Sequence, residues 1–189
     1  MIVDAARRVI REKGDNFTTQ ELVKEAGVAL QTFYRYFGGK DQLLLAVIED
    51  MIAESVVRYA ELASDLPDPV SRLRFYVMTV VSEIHAQPEY GLDAQFVTSE
   101  HWRLYRLFPD ELSLATQPVT DLLAGEIRAA ASAGLLRSVD PDRDGWLITK
   151  LLMAVYHHYA YASTTADAIG EEVWQFCLAA LGGSDAPER

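Results

Sequence analysis

The sequence predicts an all-α chain, and three observations carry that expectation. Apolar residues recur three and four positions apart in segment after segment, the spacing that lines one face of a helix. No run of alternating β-branched residues is bounded by the Asn-Gly or Asp-Gly turns of a hairpin. Proline and glycine fall where helices begin and stop. About nine helices are expected: a three-helix N-terminal head, residues 1–46, and a larger helical domain, residues 47–189.

In the first segment Ile2, Ala6, Val9, Ile10 and Lys13 form one stripe, with Arg7, Arg8 and Arg11 largely outside its apolar part; Gly14 ends the helix. Thr18 and Glu21 have the spacing of a capping box, and Phe17 and Leu22 that of a hydrophobic staple, so a second helix starts at Thr18. It is short, because Gly27 suits a left-handed stop. A third short helix runs from about Ala29 to Phe37, halted by Gly38-Gly39, and a long one from Lys40 to about Ala63. Further helices are expected at about 69–87, 88–106, 109–133, 141–163 and 167–181, with Pro88, Pro109 and Pro141 near their starts. Pro118 predicts a kink or break inside 109–133. Ser184 to Arg189 reads as a frayed end.

Two short helices joined through Ala26-Gly27-Val28 fit a helix-turn-helix. Leu22, Val23 and Ala26 on the first helix can share a core with Val28, Leu30, Phe33 and Phe37, with Ile10 beneath. The other face of the second helix then carries Ala29, Gln31, Thr32, Tyr34, Arg35 and Tyr36. Glutamine can pair bidentately with adenine, and threonine can meet phosphate or the thymine methyl. Tyr34 and Tyr36 suit phosphate oxygens; Arg35 and Lys40 can neutralise them. Lys40 also opens a long helix, whose N-terminal amides favour an anion.

The formal net charge of −11 argues against nucleic acid only if it is spread evenly. It is not. Residues 1–40 hold 7 basic and 5 acidic side chains, whereas the remainder holds 10 and 23. Cys177 is the single cysteine, so no internal disulfide forms, which fits a reducing compartment. No signal-peptide core is evident, and Leu151 to Ala162, interrupted by His157 and His158, is too short to span a bilayer; a cytoplasmic chain with no membrane partner is expected.

The stretch Ile2 to Glu49 resembles the DNA-binding head of the TetR/AcrR family of transcriptional repressors. The resemblance rests on Ala5-Ala6, Gly14, Phe17-Thr18-Thr19, Leu22-Val23, Ala26-Gly27-Val28, Thr32-Phe33-Tyr34-Arg35-Tyr36-Phe37, Lys40 and Asp41-Gln42-Leu43-Leu44. It covers about a quarter of the chain. It implies an all-α homodimer that binds double-stranded operator DNA and leaves it when a small-molecule effector enters the C-terminal domain. It further implies that Thr18 and Thr19 cap and touch the backbone, that Gln31 and Thr32 face the groove, and that Tyr34, Tyr36 and Lys40 contact phosphates. Two residues depart from the family pattern: Ala29 has no side chain to cap the recognition helix, and Leu30 cannot hydrogen-bond a base. The head opens at Met1, without a basic arm for the minor groove, so more reliance on phosphates is expected.

In the C-terminal domain Leu147, Ile148, Leu151, Leu152, Val155 and Tyr159 form one helical stripe, and Val173, Trp174, Cys177, Leu178 and Leu181 another. Both can be ordinary core. The resemblance implies instead a four-helix dimer interface through Leu147, Leu151, Val155, Tyr159, Val173, Trp174, Cys177 and Leu181. The middle helices mix aromatic and polar residues, as small-molecule pockets do: Phe75, Tyr76, Met78, Thr79, Phe96, His101, Trp102, Tyr105 and Phe108. They predict a largely apolar effector, and core filling is the alternative for each residue singly.

No cofactor, metal site or catalytic residue is expected: adjacent His157 and His158 point about 100° apart on a helix, and no phosphate loop or nucleophile elbow is present. Two rivals remain at this level. One is an all-α small-molecule or lipid-binding protein whose head no longer binds DNA; the other is a helical enzyme using His85, His101, Glu83 or Glu100.

Overall fold

The computed structural model describes residues 2–14, 16–84, 94–138, 140–162 and 167–183, the side chains of 167 and 168 excepted. Among them are nine α-helices and no strand: α1 (Ile2–Lys13), α2 (Thr19–Ala26), α3 (Leu30–Tyr36), α4 (Lys40–Ala63), α5 (Pro69–Ser82), α6 (Ala94–Leu107), α7 (Pro109–Ser132), α8 (Pro141–Tyr159) and α9 (Asp167–Ala180). The all-α architecture is as expected. The chain packs as two compact units, one formed by residues 1–54 with 87–116, the other by 55–86 with 117–189. The divisions fall inside α4 and α7.

In the first unit α1 packs on α2, and α2 on α3. Ala5, Ala6, Val9 and Ile10 bury one face of α1 against Phe17, Leu22, Phe33, Leu43, Leu44, Val47 and Ile48. Leu104 of α6 and Leu112 of α7 complete the same core, and Phe96, Val97 and Phe108 pack against it. Arg7, expected largely outside the apolar part of the α1 stripe, is drawn in: its side chain is 11% exposed and pairs with Asp50 at 2.9 Å and Glu54 at 2.6 Å. Those carboxylates stand four apart on α4, so both reach one guanidinium.

In the second unit α5 packs on α9 and α8. Asp68 caps α5 through the amides of Val70 and Ser71 (2.9 and 3.0 Å), with Pro69 at the first position; Asp140 caps α8 through the Arg143 amide (3.2 Å), with Pro141 at the first position. Arg72 binds both oxygens of Glu126 at 3.0 Å, joining α5 to α7. Buried Thr120 and Thr149 share a 3.1 Å hydrogen bond across α7 and α8, beside a close crossing of Gly145 on Ala124.

Two details differ from expectation. α7 is unbroken across Pro118. Proline leaves the Leu114 carbonyl without its helical donor, and Leu114 is an exposed residue, where water can serve that carbonyl. α5 and α8 end a few residues earlier than the apolar pattern suggested, at Ser82 and Tyr159. α6 is described from Ala94, so Pro88 and the proposed start at 88 lie outside the described residues, as does the segment 184–189. No helix among the described residues is long and apolar enough to cross a membrane.

The glycines of α7 and α8 give a paired test. A Cβ at Gly145 would lie 3.0 Å from both the Cβ and the backbone nitrogen of Ala124, whereas one at Gly125 meets nothing within 4 Å. Gly145→Ala is expected to cost about 1–3 kcal/mol by forcing α8 off α7. Gly125→Ala is expected to gain about 0.5–1 kcal/mol from helix propensity. Denaturant melts of the two variants check both signs.

Candidate nucleic-acid interface

The interface begins with local backbone chemistry. Thr18 is extended and caps α2: Glu21 N–H donates to its Oγ1 at 3.2 Å, and its own N–H donates to Glu21 Oε2 at 2.8 Å. The capping box is therefore complete, and Phe17 and Leu22 are both buried as a staple requires. At the other end Gly27 has φ 64°, with its N–H on the Lys24 carbonyl (3.2 Å) and that of Val28 on the Val23 carbonyl (3.0 Å). These are the two bonds of a Schellman stop, whose left-handed residue glycine adopts without strain. The turn then delivers the chain into α3.

α3 is fixed from one side by Phe33, which is completely buried and has ring contacts with Phe37 (5.6 Å between centroids) and Tyr34 (5.1 Å). Gln31 and Arg35 are exposed, Thr32 is half-buried, and Tyr34 and Tyr36 are 55% and 64% exposed. Arg35 lies 5.1 Å over the Tyr36 ring. Ala29 caps the helix with no side-chain bond, as its chemistry requires. Leu30 is a correction: expected in the shared core, it is 40% exposed. As the first residue of α3 it stands about 60° round the axis from Phe33, beyond the end of the core.

Thr18 is exposed and Thr19 half-buried at the start of α2. Lys40 lies beside them: its Nζ is 3.3 Å from the Phe17 carbonyl and 4.3 Å over the Phe17 ring. The starts of α2 and α4 are thus adjacent. The electrostatics of the head are more selective than its composition suggests. Arg7 is neutralised by Asp50 and Glu54, Arg8 by Glu25 at 2.8 Å, and Lys13 by Glu21 at 2.6 Å. Arg11, Lys24 and Arg35 form no such ion pair among the described residues.

The residues expected to bind an effector fall in both units. In the second, Tyr76 is buried, Phe75, Met78 and Thr79 are half-buried, and Met78 lies under Gly170 of α9, where a Cβ would meet its Cε at 3.2 Å. In the first, Phe96 and Phe108 pack on the head core, His101 is half-buried and stacked on Tyr105, and Trp102 and Tyr105 are exposed. Of the residues expected at a dimer interface, Leu147 is exposed and Leu151, Val155 and Tyr159 are half-buried on α8. Val173, Trp174, Cys177 and Leu181 are buried within the second unit. Burial raises the Cys177 thiol to about 11. Among the described residues α9 exposes the large apolar side chain of Phe176, at 66%, and α8 exposes Trp146, at 49%. Sequence periodicity named the stripe but not which neighbour it meets. Among the described residues no cluster of His, Cys, Asp or Glu is arranged to hold a metal.

A capped helix, a left-handed glycine turn and a second helix with one buried face define a helix-turn-helix head. Residues 2–47 match the family model described as bacterial regulatory proteins, tetR family. An HTH-type transcriptional regulator of Bacillus subtilis, YvaF, is 45% identical over 47 residues, 25% of each chain. The matched segment thus spans about a quarter of that relative's length. The whole fold is similar to Thermus thermophilus FadR, a TetR-family repressor solved with lauroyl-CoA (TM-score 0.75, 20% identity, 100% of this chain and 97% of that one). It is similar also to Bacillus subtilis FadR solved with stearoyl-CoA (TM-score 0.72, 18% identity, 97% of each chain).

The capping box carries a pH signature. Lys13, the Thr18 amide and the Thr18 hydroxyl together lower the Glu21 carboxyl to about 2. A lowered carboxylate contributes stability that is present above its unfolded value and lost as pH falls through the folded one. Wild-type melting temperature should therefore decline as pH falls from about 4.5 towards 2, and Glu21→Gln should remove part of that slope. An unchanged slope contradicts the assignment.

Proposed function

We propose that the chain is a ligand-responsive, sequence-specific transcriptional regulator that binds double-stranded operator DNA as a homodimer and is released by a largely apolar small molecule. The observation that carries this is α3: one side is locked by Phe33, and the rest of its surface offers Gln31, Tyr34, Arg35 and Tyr36 to solvent on a rigid rod. An α-helix fits the major groove, where Gln31 would read a base and Thr32 a phosphate or a thymine methyl. Ala29 lets the backbone approach closely. Thr18, Thr19, Tyr34, Tyr36 and Lys40 would contact the sugar–phosphate backbone.

Two copies are needed to read two half-sites. The face we assign to the dimer uses Leu147, Leu151, Val155 and Tyr159 of α8, with exposed Phe176 of α9. Val173, Trp174, Cys177 and Leu181 then serve by seating α9 in its own unit. For the effector we place Phe75, Met78 and Thr79 of α5 in contact with the ligand. Long-chain acyl-CoA is the first compound to test, because two structures of similar fold hold stearoyl-CoA and lauroyl-CoA. Release is a population shift: the ligand binds the DNA-free arrangement better than the DNA-bound one. The protein acts as a cytoplasmic regulator with no cofactor and no reaction of its own.

Anisotropy titration against duplex from the DNA adjoining its own gene tests the reading. Affinity should fall on the order of 10³-fold between about 50 and 200 mM salt; a flat response contradicts it. Lys40→Ala and Tyr34→Ala should weaken all duplexes alike, while Gln31→Ala should cost about 1–3 kcal/mol on the cognate site and relax one base position.

A further inference from the structure

Arg103 stands on α6 but reaches the head, within the same compact unit. Its guanidinium is oriented by Glu100: Nε donates to Oε2 at 3.0 Å and Nη2 donates to the same oxygen. Glu100 is 4% exposed. A carboxylate that far from water is stable only beside a fixed cationic donor, so Arg103 is held in one direction. Its remaining Nη1 donates to the Asp41 carboxylate. Asp41 lies in the first turn of α4, directly after Lys40. Lys40 in turn sits on the Phe17 carbonyl, one residue before the α2 cap.

A carboxylate at this place serves two opposing ends. It suits the helix dipole at the start of α4. It also places a negative charge in the first turn of α4, one residue after Lys40, at the helix end where the sugar–phosphate backbone is to be met, and like charges across an interface weaken binding. A cation supplied from outside the head resolves the conflict, provided something buried keeps it there. Glu100 is that anchor.

We propose that Arg103 is a positioning residue for DNA binding: held by buried Glu100, it offsets the charge of Asp41 in the first turn of α4, the helix end that carries Lys40 to phosphate. Arg103 itself touches no DNA in this arrangement. The proposal rests on the DNA-binding reading of the head.

The test is fluorescence anisotropy of the full chain on a labelled duplex of mixed sequence at low salt, where phosphate contacts dominate binding. Arg103→Met would strand the buried Glu100, so it is paired with Glu100→Gln, and thermal melts confirm folding. Arg103→Met/Glu100→Gln should bind about three- to tenfold more weakly than wild type. Adding Asp41→Asn should bring affinity back to within about twofold. Asp41→Asn alone, which needs no repacking around Glu100, should bind more tightly than wild type. Arg128→Met is the control: it removes one positive charge from an exposed pair with Asp142 in the other unit and should leave affinity unchanged. A purely structural Arg103 would lower the melting temperature without any rescue by Asp41→Asn. If wild type binds and Asp41→Asn changes nothing in either background, the charge-cancelling role is overturned and DNA binding stands. If wild type binds no duplex at any salt, the DNA-binding reading falls and takes this role with it.

Discussion

The head depends on the burial of one side chain, Phe33, between two helices that cannot stand alone. α2 has eight residues and α3 seven, well short of the length at which a helix persists in water. What they lack in length is made up at their ends and at their contact. Thr18 and Glu21 satisfy the start of α2, Gly27 turns the chain, and Phe33 closes the angle by filling the space over Leu22 and Ile10. With that angle fixed, Gln31, Tyr34, Arg35 and Tyr36 are presented as a rigid set. The proposed recognition surface draws on that rigidity, because the entropy of ordering the loop and helix has already been spent in folding.

Charge imposes the second constraint. A chain of net −11 that is to approach a polyanion must keep its field favourable at one small surface. Several head cations are withdrawn from that role by internal partners: Arg7 ties α1 to α4, Arg8 ties α1 to Glu25, and Lys13 ties α1 to the capping glutamate. The exposed pairs of Arg8 and Lys13 contribute little stability; their larger effect is on which cations of the head remain unpaired. Arg11, Lys24 and Arg35 keep no such ion pair among the described residues, and Arg35 stands beside the exposed tyrosines.

Much of this was legible in the sequence, for identifiable reasons. Caps and turns are local, so Thr18, Glu21, Gly27, Pro69 and Pro141 declared the helix boundaries from a few neighbouring residues each. The outward face of α3 was legible because seven residues with one fully buried phenylalanine leave little choice of orientation; Leu30 misled because an apolar residue at a helix end need not reach the core. Long-range pairings left no trace in spacing. Nothing near Arg103 in the sequence points to Asp41, 62 positions earlier, and nothing near Arg7 points to Asp50 and Glu54. The α9 stripe showed a hydrophobic face but not its partner, and Val173, Trp174, Cys177 and Leu181 meet their own unit while Phe176 faces outward.

The central claim is that α3 enters the major groove, twice per assembly. Methylation protection on the DNA adjoining its gene addresses it most directly, since purine N7 atoms lie in that groove. Two protected patches on one face of the duplex, centred about one helical turn or a whole multiple of it apart, are the predicted result. Binding that leaves every major-groove N7 open to methylation, or protects a single patch with no second beside it, would contradict the account.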